Sequence, residues 1–289
     1  MDETTPICVQ MDGRILESSR TGHRRPPAEM PFDFPLRAGK SDDTWLRREI
    51  WGIAERNMCY GSRRIKIELR RRGFVINGKR VYRIMREEGI WAVYPLREDG
   101  LTGSVSGMSL PPYPNMLSGV DIIRPDQVWV ADMTRISLRR ETVHLAVILD
   151  AFSRRCLGWS LGPVHTDRLI LKAFRAALRT RAGRTLAGLI HHSDQSLVCT
   201  SANYIRFLER NGIRVSMSRR GYPYDNPVVE SFFARVKCEE IYLHEYRTLR
   251  DVYKKIGAFI QEVYNTKRIH SALGYRPPLE FEEELATGA

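Results

Sequence analysis

Cysteine is scarce in this chain. Five occur in 289 residues, at positions 8, 59, 156, 199 and 238, and none forms a CxxC pair. The odd count and the spacing exclude a disulfide framework, and the five read as reduced thiols of a cytosolic protein. Long apolar runs are missing too. The longest clean one near the middle, Leu145 to Leu149, is far short of the ~20 residues that span a bilayer. The start, Met1-Asp2-Glu3, has neither a basic n-region nor an apolar h-region, so no signal peptide is expected. His191 and His192 have no Cys or His partners at zinc spacing. Acids are short relative to bases, 34 Asp and Glu against 46 Lys and Arg, leaving a net charge of +12. Such an excess favours a polyanionic partner. With no amphipathic membrane stripe, that partner is nucleic acid before membrane.

What is present is a set of placed carboxylates. Trp129-Val130-Ala131-Asp132 and Leu189-Ile190-His191-His192-Ser193-Asp194 are apolar, strand-like runs that each end in an acid. A third acid, Glu230, follows Asp194 after 35 intervening residues. Mg²⁺ is a hard cation that takes oxygen ligands, and two such ions can activate an attacking oxygen and stabilise a leaving one in phosphoryl transfer. Without metal, clustered carboxylates repel and at least one has a raised pKa. Asn226-Pro227 reads as an N-cap followed by Pro at the first helical position. Glu230 then lies in the second turn, one residue too late for a capping box. Glu230, Phe233, Ala234 and Lys237 share one face, and Glu230 and Lys237 are roughly 10 Å apart along it. An acid with a cation two turns on suits a phosphate backbone crossing that face. Asp150 also ends an apolar strand, but the turn after it gives its side chain a local structural role, which we favour.

In chain order, residues 1–42 are dotted with Pro, Gly and Arg and read as a disordered or atypical segment. Residues 43–92 carry helical periodicity in three short stretches, with Ser62 placed to cap the second. Residues 63–86 hold ten Lys and Arg and one acid, Glu68. A basic three-helix unit reads as a helix-turn-helix-like DNA-binding module, with Arg63, Arg64, Arg70, Lys79, Arg80 and Arg83 as candidate phosphate contacts. Residues 93–125, rich in Pro and Gly, read as a linker. From Asp126 the predicted order is βββαβαβα: strands at 127–136, 143–152, 155–161, 188–193 and 213–217, and helices at 167–181 and 201–210. The expected class is α/β, a mixed five-stranded sheet flanked by helices and preceded by a small helical domain. Ser218 to Asp225 is a basic, aromatic, glycine-bearing loop, with Arg219 and Arg220 as candidate DNA contacts. Residues 248–263 read as one helix leading into a C-terminal motif in which Arg268 and His270 are weighed as DNA contacts against a structural role.

Several motifs together resemble the DDE transposases with a retroviral-integrase-like core, closest to the second-frame product of insertion sequences. They are Trp129-x-x-Asp132-x-Thr134, His192-Ser193-Asp194, Asp225-Asn226-x-x-x-Glu230-Ser231-Phe232-Phe233 with Lys237, and Tyr264-Asn265-x-x-Arg268-x-His270-x-x-Leu273-Gly274-Tyr275-x-x-Pro278-x-x-Phe281. The resemblance runs from about Tyr60 to Phe281 and implies a ribonuclease-H-like catalytic core over 126–283. It implies Asp132, Asp194 and Glu230 as ligands of two Mg²⁺ ions, with Mn²⁺ able to substitute, and Lys237 on a backbone phosphate. It implies cleavage at transposon ends and strand transfer into target DNA, with double-stranded DNA as partner. It also implies a homo-oligomer on DNA, a first-frame protein partner, and a cytoplasmic, nucleoid-associated bacterial setting. One departure stands out. After His192-Ser193-Asp194 the family usually has Arg or Gln, then Gly, whereas this chain has Gln195-Ser196. If that glycine needs positive φ, Ser196 strains the loop carrying Asp194. That strain, with the unusual first 40 residues, motivates the alternative of a decayed relic that only binds DNA. A structure-selective nuclease on the same fold is the third reading, against which the Arg-rich helical module and the C-terminal motif argue.

Overall fold

The computed structural model describes residues 43–93, 113–138, 141–218 and 226–287. They fall into two compact units, one within Met1–Tyr94 and one within Pro95–Ala289. The segment 1–42 lies outside the described residues, and so does the first part of the expected linker. Among the described residues no helix is long and apolar enough to cross a membrane.

The first unit is three helices: α1 (Thr44–Arg56), α2 (Ser62–Arg71) and α3 (Gly78–Glu87). Leu46, Ile50 and Ile53 recur at helical spacing on α1, and they bury against Ile65 and Leu69 of α2 and Val81, Ile84 and Met85 of α3. Asn77 caps α3 by accepting from the Lys79 N–H at 2.9 Å. The expected cap by Ser62 is not made. Ser62 is already the first helical residue, and Gly61 is the N-cap, with no side chain to offer.

The second unit is built on a five-stranded sheet ordered β3-β2-β1-β4-β5. Its strands are β1 (Val128–Ser137), β2 (Thr142–Asp150), β3 (Cys156–Gly162), β4 (Ile190–Ser193) and β5 (Arg214–Met217). The three leading strands pair antiparallel, and β4 joins β1 and β5 in parallel. This is the ribonuclease-H-like arrangement. Alternation along β1 sends Trp129 and Ala131 into one apolar layer and Val128, Val130 and Ile136 into the other. The first layer is covered by α4 (Asp167–Thr180) and α5 (Ala202–Arg210). The second is covered by α6 (Pro227–Glu239) and α7 (Leu249–Ala258), each with its apolar stripe inward. Helix α4 lies so close to β3 that a Cβ at Gly158 would stand 2.2 Å from the Ala173 carbonyl oxygen.

Residues 113–125, expected to belong to the linker, pack on the second unit. Met116, Leu117 and Ile122 lie against its core. The Met116 N–H donates to the Ser216 hydroxyl at 2.9 Å, and the Met217 N–H to the Pro114 carbonyl at 3.2 Å. The apolar residues among the prolines and glycines are what dock it.

The expected helix over 248–263 changes character midway. Thr248 and Asp251 form a capping box at the start of α7. From Phe259 to Tyr264 the chain winds as a π-helix, with the Asn265 N–H reaching back to the Ile260 carbonyl. That wider turn lets Asn265 face β3, where its amide both accepts from the Cys156 N–H and donates to the Cys156 carbonyl. Helix α8 (Pro278–Thr287) closes the fold.

A buried polar hub ties these ends together. Arg181, only 2 % exposed, donates to Asp126 at 2.8 Å and to Glu282 of α8 at 2.7 Å. Glu282 also accepts from the Ser153 hydroxyl and from Arg155. Asp150 accepts the N–H groups of Asp126, Phe152 and Ser153, which establishes the structural role favoured for it. Asp126 and Arg154 hold left-handed backbone conformations at this hub, with φ of 61° and 63°.

Candidate active site

Asp132 sits in β1 opposite Val147 of β2. By alternation it points to the α6 side of the sheet, as Val128 and Val130 do. Asp194 directly follows the last residue of β4. The parallel register pairs Val128 with Ile190, Trp129 with His191 and Val130 with His192. Continued by two residues, it brings Asp132 level with Asp194.

Glu230 arrives on α6. Val229, Phe232, Phe233 and Val236 anchor that helix in the core, which leaves Glu230 exposed and Lys237 half-buried on its outer side. Phe233, expected on the Glu230 face, turns inward because the sheet offers it apolar partners. Pro227 occupies the first helical turn, as the sequence predicts, but Asn226 does not cap with its side chain. Its amide instead donates to the Ala131 carbonyl at 3.3 Å, one residue before Asp132.

The electrostatics show these groups within reach of one another. Burial, and next the charge of Asp194, push the Asp132 carboxyl up to about 7. Glu230 adds to the rise, while the Met133 N–H and the Lys237 ammonium oppose it. Mutual repulsion of this kind is relieved by a cation. Among the described residues, however, no three His, Cys, Asp or Glu side chains are arranged to hold a metal ion as they stand.

The loop after Asp194 corrects one expectation. Among the described residues the non-glycine positions at positive φ are Asp126, Arg154 and Tyr275, and Ser196 is not one of them. Ser196 instead organises a turn. Its N–H donates to the Asp194 carboxylate at 3.3 Å, its hydroxyl accepts from the Cys199 N–H, and its carbonyl accepts from the Thr200 N–H. The strain argued from the missing glycine is absent.

His191 and His192 are fully buried. His191 bonds the Tyr204 hydroxyl at 2.9 Å, and His192 bonds the Ser216 hydroxyl at 2.8 Å, so both pack the sheet. Arg268 is buried in a two-pronged ion pair with Glu239 at 2.7 and 2.8 Å, which gives it the structural role and removes it as a DNA contact. Arg219 and Arg220 lie outside the described residues.

In the first unit the candidate cations divide. Arg80 and Arg83 are held by Asp43, and Arg83 also by Glu87. Arg63, Arg70 and Lys79 are exposed, and Arg64 lies over the Tyr60 ring at 5.3 Å. Sequence reasoning missed the Asn226 link to β1, which its reading as a cap concealed. It also missed the cations of α4 and α5, although their helical spacing was there to be counted.

A mixed sheet of this order, covered by helices on both faces, defines an integrase-like core. Family comparison agrees. The integrase core domain matches residues 123–223 and, in a second description, 211–278, and an HTH-like domain matches 40–98. The transposase for insertion sequence element IS904 of Lactococcus lactis subsp. lactis (strain IL1403) is 35% identical over 228 residues, covering 78% of this chain and 87% of that one. An IS600 protein of 31 kDa from Shigella sonnei is 33% identical over 273 residues, covering 94% and 97%. Transposase InsF for insertion sequence IS3A of Escherichia coli (strain K12) is 32% identical, covering 78% and 77%. The chain belongs to this family of insertion-sequence transposases. Among solved structures, the HTLV-2 integrase catalytic core domain in complex with magnesium matches 54% of this chain and 96% of its own, at 17% identity and a TM-score of 0.42.

Proposed function

We propose that this transposase is a divalent-metal-dependent enzyme that nicks DNA at the ends of its element and joins the freed 3′-hydroxyl to target DNA, with Asp132, Asp194 and Glu230 as the ligand set. One observation carries this reading: the β1–β4 register brings Asp132 level with Asp194 beneath the helix that bears Glu230. The donor chemistry fits Mg²⁺ or Mn²⁺, since all three groups offer hard oxygens and Asp132 is already raised, first by burial and then by the charges of Asp194 and Glu230. When bound, two such ions activate the attacking oxygen and stabilise the leaving one. The protein's own contribution is placement. The sheet holds two of the acids, Asn226 fastens the Glu230 helix to β1, and Lys237 lies where it meets a phosphate lodged against the acids. Arg63, Arg64, Arg70 and Lys79 supply phosphate contacts from the helical unit, Arg219 and Arg220 supply them from the segment before α6, and Arg80 and Arg83 join if they leave Asp43. The working form is a homo-oligomer on paired ends, with a first-frame protein adding end recognition, in the cytoplasm on the nucleoid.

The test is a labelled duplex carrying the element's ends, incubated with full-length protein and Mg²⁺ or Mn²⁺ and scored for nicks and joined products. Glu230→Gln and Asp194→Asn are expected to abolish both products while DNA binding persists. Cleavage retained in either variant would sink the ligand assignment. Binding with no cut strand, even with Mn²⁺ and the first-frame protein present, would favour the DNA-binding relic.

A further inference from the structure

The face of the sheet opposite Glu230 carries a groove of about 820 Å³ between α4 and α5. Six cations line it: Arg168, Lys172, Arg175 and Arg179 from α4, and Arg206 and Arg210 from α5. No carboxylate lines it. The four on α4 are spaced i, i+4, i+7, i+11, so they form one stripe about 16 Å long. The two on α5 are spaced i, i+4 and face that stripe across the groove. All six are exposed. Among the described residues none of them makes an ion pair, whereas Arg47, Arg72, Arg80 and Arg83 of the helical unit all do. Holding so many like charges together unpaired costs stability through repulsion, and an anion lying between them removes that cost.

The form of the groove selects among anions. A stripe of evenly repeated cations matches a ligand with evenly repeated charge, and one DNA strand presents a phosphate about every 3.4 Å along the axis. The α4 stripe therefore spans about five phosphates of one strand. Apolar anchors of the sort that centre protein–protein contacts are nearly absent. Leu171 and Phe207 lie on the floor, and the Arg175 guanidinium covers the Phe207 ring at 5.5 Å. Asn203 and Asn211 add neutral donors along the α5 wall.

We propose that the α4–α5 groove is a second DNA-backbone site, separate from the acids, that grips duplex without reading its sequence. The proposal rests on the reading that this chain handles DNA, but not on the assignment of its metal ligands. It gives the catalytic unit a hold on a duplex, or on a part of one, other than that entering the active site.

The test measures binding of full-length protein to a duplex lacking element ends, by fluorescence anisotropy without divalent metal, across a series of salt concentrations. The variant is Arg168→Ala/Lys172→Ala/Arg206→Ala, all on exposed positions. A charge-matched control is Arg250→Ala/Lys254→Ala/Lys267→Ala, also exposed and outside the groove. Each lost phosphate contact lowers the salt slope by about 0.9, so the groove variant is expected to lose two to three from the slope, and about 10-fold or more in affinity at low salt. The control is expected to lose less than one. Thermal melting confirms that both variants fold as wild type. Equal slopes in groove variant and control, or an unchanged affinity in the groove variant, would overturn the site. Because no cleavage is scored, Asp194→Asn keeps full groove binding if the site is real, and failure of the ligand assignment leaves this outcome untouched. A polyglutamate peptide that displaces the duplex at comparable charge concentration would show an acidic protein surface to be the occupant, and would also overturn the proposal.

Discussion

The side-chain amide of Asn226 donates to the backbone carbonyl of Ala131 at 3.3 Å. That bond joins the residue before helix α6 to the residue before Asp132. The two acids it links sit on different elements, one on a strand and one four residues into a helix, so their separation depends on how that helix is seated. Asn226→Ala removes the tie without touching an acid. Loss of groups that orient metal-ligating side chains typically costs 10–100-fold in activity. We expect end cleavage to fall by about that factor with end binding unchanged, measured as single-turnover nicking. Wild-type nicking in Asn226→Ala would show that core packing of Phe232 and Val236 alone seats the helix.

Arg181 is the centre of the buried hub and the residue that bonds both Asp126 and Glu282; each acid keeps one further, more exposed arginine, Arg184 on Asp126 at 3.3 Å and Arg155 on Glu282 at 2.7 Å. Removing one partner of a buried ionic network leaves a charge without compensation, at about 3–5 kcal/mol. Arg181→Met is expected to lower the unfolding free energy by up to about that amount, read as a lower urea midpoint at unchanged slope, with Arg155 and Arg184 compensating part of the loss. Arg181→Met combined with Glu282→Gln and Asp126→Asn should recover part of the loss, because the stranded charges go with it. A triple variant no more stable than the single one would mean that Arg181 acts through packing of its stem.

This hub also marks where reading the sequence stops. Strand β1 was legible because Val128, Val130, Asp132 and Ile136 alternate, and α6 because Pro227 and the apolar spacing announce it. Asp132 and Asp194 stood out as candidates because each ends an apolar run, and Glu230 because it follows Asn226-Pro227 in the second turn of a helix. Arg181 and Glu282 are 101 positions apart, and charged residues are by default placed on the surface, so no local pattern reveals that they meet inside. Asp126 and Arg154 were equally hidden, since a non-glycine residue at positive φ is accepted only where surrounding bonds enforce it. The switch from α7 to the π-helix at Phe259 leaves no mark in composition, because it serves one distant partner, Cys156.

Two buried groups make the fold sensitive to acid. Burial, with help from His192, pushes the His191 imidazole down from 6.5 to about 3. The unfolded chain takes up that proton below pH 6.5 and the folded chain does not, so stability falls as pH drops from 6.5 toward 3. Burial alone would raise Glu282, but the Arg181 guanidinium outweighs it, and Ser153 and Arg155 add to the pull, bringing it from 4.5 down to about 2. Its contribution is complete above pH 4.5 and is lost as pH falls toward 2. Each proton taken up only by the unfolded chain gives a slope of up to about 1.4 kcal/mol per pH unit. Between pH 7 and 5 the raised carboxyls of Asp132 and Asp150 work the other way, taking up protons in the folded chain first, so the His191 contribution is read as a difference. His191→Gln, which keeps a hydrogen bond to Tyr204 and does not titrate, should lose less stability than wild type as pH falls through that stretch. An unaltered slope in His191→Gln would assign the acid sensitivity elsewhere.

Gly158 is the point where β3 and α4 come closest. An added methyl would meet the backbone of α4, the Ala173 oxygen at 2.2 Å and the Ala177 nitrogen at 2.5 Å, and backbone cannot swing away as a side-chain end can. Gly158→Ala therefore requires α4 to move off the sheet. Overpacking of this kind costs about 1–3 kcal/mol and sometimes more. At about 2–4 °C per kcal/mol for a unit of this size, the melting temperature should fall by about 2–12 °C. The displaced helix also carries Arg168 to Arg179, so the same variant should weaken salt-dependent duplex binding if the groove between α4 and α5 holds DNA.

Ser196 is one of the two features on which the relic reading rests, the other being the unusual first 40 residues. In the relic reading, serine strains a loop that needs glycine, so restoring glycine should improve the protein. The structure argues the reverse. Ser196 holds negative φ, takes the Asp194 carboxylate on its N–H, and offers its hydroxyl to the Cys199 N–H at the head of the turn. Glycine there loses the hydroxyl's bond and adds backbone freedom to the unfolded chain, each worth about 0.5–1 kcal/mol against it. Ser196→Gly is thus expected to be less stable by about 1 kcal/mol and no more active in end cleavage. Ser196→Ala should fall between the two in stability, since it loses the hydroxyl but not the backbone restriction. If Ser196→Gly instead raised both the melting temperature and the nicking rate, the loop would have to be strained in solution and the relic reading would regain its motive.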